Sequence, residues 1–318
     1  RTIAHIPQVL YSWRKSDTST AVASSAKPYA IQAARHTLQD TIGRREMDAT
    51  LEPSHMNGLF LIRHHPPSPT RVSLVLRGAA RGWPAALDSP DIQVCDVTWI
   101  VGQHAEDYLE RINEGAGDFL VFLDAEERPR SAKSISALLA YAQRDGTGVA
   151  AGMTVRRGTG DVLQAGLAIG QDGQPFYMYD GLPPFPLRNF YLNLKDLPRE
   201  VSVGHAGCSA MRRAVWDALG GWSRDLPLPL TWWDLCLRAL EAGYENVYTP
   251  LAQFEARAPL PPIPSVAAHD WPWRHFRDPF WNPNLTPAGS FGLPFRCDGD
   301  RRARCRPGSA AVLSSLLD

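Results

Sequence analysis

The segment richest in chemical content is FLVFLDAEERP, an apolar run that ends in Asp124, Glu126 and Glu127. A strand closing on acids sets carboxylates at the C-terminal edge of a parallel sheet, where open α/β folds take up their ligands. Asp124 and Glu126, two residues apart just past a strand, can together hold a divalent cation that bridges diphosphate oxygens. The same acids can simply open a loop and the helix beyond it, and this segment alone fits both readings. In TWWDLCLRALEAGY, Asp234 opens a predicted helix whose Leu235, Leu237 and Leu240 face a core. A carboxylate there suits the helix dipole, whereas a catalytic use requires it beside a substrate hydroxyl. His64 and His65 precede prolines and read as a solvated turn, not as metal ligands. The chain has no P-loop, nucleophile elbow or GxGxxG turn. Its ten tryptophans could stack on sugar rings, yet most read as core or interface residues.

Positioning those residues takes alternating elements. Apolar spacing predicts an amphipathic helix from about Lys27 to Arg45, after a short apolar strand and a polar Ser/Thr run in residues 1–25. LFLIRHHPPSPTRVSLVL then reads as a strand, a Pro-rich linker at 64–70 and a second strand at 71–76. Beyond it come a strand at 97–101, a helix at 106–115, a buried strand at 118–129 and a helix at 131–146 with Ser131 at its N-cap. This rhythm predicts an α/β fold, a mostly parallel central sheet with helices on both faces. CSAMRRAVWDALGGW and WWDLCLRALEAGYENVYTP each read as a helix leading to a Gly turn. The Arg/Gly/Pro-rich residues 286–318 read as a poorly ordered tail.

Bulk properties narrow the function. At 318 residues the chain can bury a large core, and 44% hydrophobic with 21% charged content is ordinary for a globular protein. Lys+Arg and Asp+Glu both number 33, so charge gives no case for nucleic acid. Five cysteines form neither a disulfide framework nor a closed zinc site, Cys297 and Cys305 reading as free thiols, and this usage points to a reducing cytosol. No apolar run reaches the length of about 20 residues needed to span a bilayer. Arg1 falls inside a strand-like pattern, so the chain reads as a piece of a longer protein.

Taken in order, several segments resemble family 2 glycosyltransferases of the GT-A type, especially tandem-domain proteins of bacterial surface-polysaccharide synthesis. They are HIPQVLYSWR with STA and KPYA, GLFLIR with VSLVL, GAGDFLVFLDAEERP, VLQAGLAIG, AGCSAMRRAVWDALGGW, WDLCLRALEAGYENVYTP and DPFWNPNL. The resemblance implies three regions: the end of a preceding domain plus a linker helix at 1–70, a GT-A-like domain at 71–285, and a tail at 286–318. It also implies a nucleotide-sugar donor, a glycan acceptor and a neighbouring transferase domain as partners. Mn²⁺ or Mg²⁺ would be held by Asp124 and Glu126, with a cytoplasmic setting peripheral to the inner membrane.

The departures from that family bear on chemistry. VSLVL runs into RGAARG where the family has a nucleotide-contacting turn, and WIV is followed by Gly102 where a base-binding Asp is usual. Aligning on DLCLR puts Trp232 at the position of the catalytic base and leaves Asp234 as the second acid of that motif. The His that often completes the metal site falls in FEARAP, which has none. An inverting transfer needs a carboxylate to take the acceptor's proton, and losing a general base removes a factor of about 100 to 10,000 in rate. The resemblance therefore implies a transferase module with degraded catalysis, which scaffolds a neighbour, holds an acceptor glycan or mediates assembly. The competing expectation is an active enzyme that draws its base from Asp225 or Glu255.

Overall fold

The computed structural model describes residues 28–56, 58–66, 68–78, 90–101, 106–131, 133–170, 173–185, 193–228, 230–266 and 271–281. The strand expected in residues 1–25, the RGAARG turn beyond Gly78, Gly102, Cys297, Cys305 and the 286–318 tail lie outside the described residues. The chain divides into two compact units, one ending at His65 and the other beginning at Pro66.

In the first unit, helix α1 (Pro28–Arg44) is followed by an antiparallel hairpin of β1 (Ala49–Pro53) and β2 (Phe60–His64). His64 closes β2 opposite Ala49, and the His65 N–H donates to Asp48 O, so this pair ends a ladder where a solvated turn was expected.

The second unit is built on a nine-stranded sheet. Its strands are β3 (Thr70–Arg77), β4 (Ile92–Ile100), β5 (Phe119–Asp124), β6 (Glu127–Pro129), β7 (Thr147–Arg156), β8 (Val162–Gln164), β11 (Arg199–Glu200), β12 (Cys208–Arg212) and β13 (Glu245–Ala256). A separate hairpin pairs β9 (Leu167–Ile169) with β10 (Pro175–Tyr177). The sheet order is β11-β13-β7-β12-β5-β3-β4, with β6 on β13 and β8 on β7. Along that path β4, β3, β5, β7 and β13 share one direction, and β12 and β11 run against them. The fold is therefore α/β with a mixed sheet, a parallel framework into which β12 is threaded antiparallel.

β12 corrects a sequence expectation. CSAMR reads as the start of a helix, but it forms a central strand, buried at Cys208–Met211, and helix α4 (Arg213–Leu219) begins only after it. Small residues at 208–210 let β5 and β7 close on either side, and burial on both faces overrides local propensity. Likewise the expected single strand at 118–129 is two, because β6 leaves β5 and pairs with β13.

Period-2 alternation in β5 divides the core. Leu120 and Phe122 point to one face, joining Leu109 and Ile112 of α2 (Glu106–Glu114), Trp216 of α4, and Trp232 and Trp233 of α5 (Leu230–Glu241). Phe119, Val121 and Leu123 point to the other, against Ile135, Leu138, Leu139 and Ala142 of α3 (Lys133–Ala142), spaced for one helical face. The first face is aromatic: the Phe122 ring lies 4.7 Å from Trp232 and 5.8 Å from both Trp216 and Trp222. α4 ends at Gly220, whose φ of 74° takes the left-handed cap that a side chain would strain. No helix among the described residues is long and apolar enough to cross a membrane.

Phe122 touches three indoles, so its truncation leaves a cavity that rigid rings cannot fill. Phe122→Ala should lower the unfolding free energy by about 3–5 kcal/mol, read from the midpoint of urea denaturation.

Candidate functional site

β3 and β5 run parallel with Arg77 directly opposite Asp124, so register alone brings the two side chains together at the strand ends. The guanidinium donates from Nε at 2.8 Å and from Nη2 at 2.5 Å to Asp124 Oδ2. Oδ1 accepts the Glu126 backbone N–H at 3.0 Å, an Asx-type turn. Asp124 is 8% exposed, while the Glu126 side chain points outward, so the two expected ligands meet through a backbone amide and not as paired carboxylates.

The inward acid is Glu127. At 1% exposure it accepts from Thr154 Oγ1 at 2.5 Å on one oxygen and bonds His205 Nε2 at 2.5 Å on the other. Gln164 extends the network, donating to Thr154 Oγ1 at 3.0 Å and to Cys208 Sγ at 3.4 Å. Gly207 makes room for it, since a Cβ there would stand 2.1 Å from Glu127 Oε1. Sequence reasoning passed over Glu127 as one acid in a run. The lone faint signal was its place two residues before a proline, at the start of a short strand that pairs with distant β13.

Trp232 is 1% exposed; its Nε1–H donates to Gly204 O at 2.7 Å. Asp234, 5% exposed, is committed on both oxygens, Oδ2 accepting from Arg238 Nε at 2.8 Å and Oδ1 from Trp273 Nε1 at 2.9 Å. Arg238 spends its remaining donors on Leu219 O and Gly221 O, tying α5 to the cap of α4. Asp225 is exposed between α4 and α5, and Glu255 pairs with Arg157 at 3.2 Å. Asp234 and Glu255 are thus engaged with other side chains, and among the described residues no three His, Cys, Asp or Glu side chains form a metal-holding group.

Next to the strand ends lies a cleft of about 700 Å³, walled by Phe176, Tyr177, Asp180, Gln174 and the Leu260–Ile263 strap. The Tyr177 ring meets His205 edge-on at 5.7 Å, and its hydroxyl donates to Pro261 O at 3.2 Å. Burial, followed by the charge of Glu127, pushes the Tyr177 hydroxyl far above its ordinary range, and burial raises the Asp180 carboxyl as well.

As they stand, Asp124 and Glu126 do not present paired carboxylates to a divalent metal, and Arg77 already holds the first of them. Among the described residues no three His, Cys, Asp or Glu side chains converge on a common point. A doubly charged ion 4 Å from the Arg77 guanidinium would be repelled by on the order of 8 kcal/mol at an effective dielectric of about 20.

No protein-family model matches the chain. It is 26% identical over 338 residues to the uncharacterized protein y4gI of Sinorhizobium fredii (strain NBRC 101917 / NGR234). That match takes in 90% of this chain, and the chain spans 37% of that relative's length. Among solved structures it is similar to GalNAc-T7 with UDP, GalNAc and Mn²⁺, at 13% identity and TM-score 0.43 over 66% of this chain and 47% of that one. It is also similar to the mannosyltransferase PcManGT from Pyrobaculum calidifontis in complex with GDP-Man and Mn²⁺, at 11% identity and TM-score 0.39 over 76% and 69% of the two chains. Both scores lie below one half, and the fold assignment rests on the chain's own strand order.

Two outcomes follow from the buried network. Glu127→Ala leaves Thr154 and His205 without their partner and should cost about 3–5 kcal/mol, against a smaller loss for Glu127→Gln, in chemical denaturation. Burial pushes the Cys208 thiol well above its ordinary range and Cys236 up to about 12. Alkylation of the native protein, followed by peptide mass spectrometry, should therefore label half-buried Cys95 long before either.

Proposed function

We propose that this chain is a nucleotide-sugar glycosyltransferase module of the GT-A type that no longer transfers sugar, carried within a longer protein of bacterial surface-polysaccharide synthesis. The observation that carries this reading is the state of Trp232. In the alignment on DLCLR this position belongs to the general base, yet the indole is packed on Phe122 and its N–H is spent on Gly204 O. Indole nitrogen only donates, so it cannot take a proton from an acceptor hydroxyl. The position has joined the core, and restoring a carboxylate there would bury a charge where a ring now packs.

Asp234 offers no substitute while both its oxygens hold Arg238 and Trp273. Asp225 and Glu255, the other acids an active enzyme could draw on, stand respectively in solvent and in an ion pair with Arg157. A module of this kind scaffolds a neighbouring transferase domain or holds an acceptor glycan. The cleft beside Tyr177 favours the second role. Its aromatic rings suit sugar C–H faces, and the Asp180 carboxylate suits hydroxyls.

Calorimetric titration with UDP-, GDP- and dTDP-linked sugars in Mn²⁺ tests the reading. We expect no binding heat with any donor. Tight binding that Asp124→Ala abolishes would overturn it.

A further inference from the structure

Asp124 is the acid at which the GT-A-type reading places a divalent cation, and the group standing against it is a side chain of the same protein. Arg77 is not a surface residue that has swung across. It is the last residue of β3, in register with Asp124 on the adjacent parallel strand. The Ala125 N–H donates to Arg77 O at 2.8 Å, which pins the two backbones together just where the side chains emerge. Gly78 follows at φ 104°, and a Cβ there would sit 3.2 Å from Ala125 Cβ, so the strand ends approach as closely as glycine allows.

The contact is a two-donor ion pair with the carboxylate 12% and the guanidinium 32% exposed. Of the neighbouring acids, one is held inside and the other faces away from Asp124 into solvent. Glu127 is turned inward onto Thr154 and His205, and Glu126 contributes its backbone amide to Asp124.

We propose that Arg77 has taken the place of the divalent cation at the end of β5, so that the carboxylate there is balanced by a guanidinium of the same chain and not by a metal. The inference rests on the GT-A-type reading for the expectation that a cation belongs there, and on the Arg77–Asp124 geometry for what fills the place. Mn²⁺ then finds the Asp124 carboxylate already paired, and removing the guanidinium charge frees it.

The test is a titration of the whole chain with Mn²⁺ alone, read as loss of the free-ion electron paramagnetic resonance signal. It compares wild type, Asp124→Asn, Arg77→Met, Arg77→Gln and the double variant Arg77→Met/Asp124→Asn, each checked for native circular dichroism. Wild type should bind no stoichiometric Mn²⁺ into the millimolar range. Whichever single Arg77 variant keeps the native spectrum should bind Mn²⁺ at least about tenfold more tightly, and the double variant should lose that gain. One equivalent bound by wild type and lost on Asp124→Asn overturns the proposal, as does the absence of any gain in a folded Arg77 variant. No nucleotide is present, so the result is independent of donor binding. A wild type that bound a nucleotide sugar in EDTA would sink the non-catalytic reading and leave this one standing.

Discussion

β5 lies between parallel β3 and antiparallel β12, and its six residues Phe119 to Asp124 are all buried. Register with β3 puts Asp124 beside Arg77. The departure of the chain from β5 into β6 turns Glu127 beneath His205, and alternation along β5 sends Phe122 into the indole cluster. A slip of one residue in this strand would exchange its two faces and undo all three placements. The chemical edge and the core are therefore set by one strand.

The acids that a reader of the sequence would lend to catalysis are nearly all engaged internally. Asp124 is neutralised by Arg77, Glu127 is held by Thr154 and His205, and Asp234 by Arg238 and Trp273. A buried carboxylate without partners is costly, so each of these pairings removes a penalty that an open catalytic acid has to bear. A site that performs chemistry keeps at least one such group under-satisfied and facing its substrate. The cleft at Tyr177 and Asp180 sets aromatic and polar groups side by side.

The aromatic cluster accounts for the burial of Trp232. Trp216, Trp222 and Trp232 surround Phe122 at centroid distances of 4.7 to 5.8 Å, and Trp216 meets Trp222 edge-on at 5.5 Å. Position 232 thus contributes packing area to this face of the core. Arg238 ties the same helix to the end of α4 through Leu219 O and Gly221 O, so α5 is fixed by hydrogen bonds as well as by rings.

Much of this was readable in one dimension. Period-2 and helical spacing are local properties, and they gave β3, β5, α2, α3 and α5, the α/β class and the acids closing β5. The ordered motifs also singled out Trp232, which the resemblance sets at the position of a general base. What needed three dimensions was every pairing between distant segments. Arg77 and Asp124 are 47 positions apart, Glu127 and His205 are 78, and Trp273 and Asp234 are 39. The strand character of CSAMR was hidden for the same reason, because it follows from neighbours on both sides and not from its own residues. Local pattern states which groups a segment carries. Only strand register and burial decide whether a carboxylate meets solvent, a cation or another side chain, and those are contacts between residues far apart in the chain.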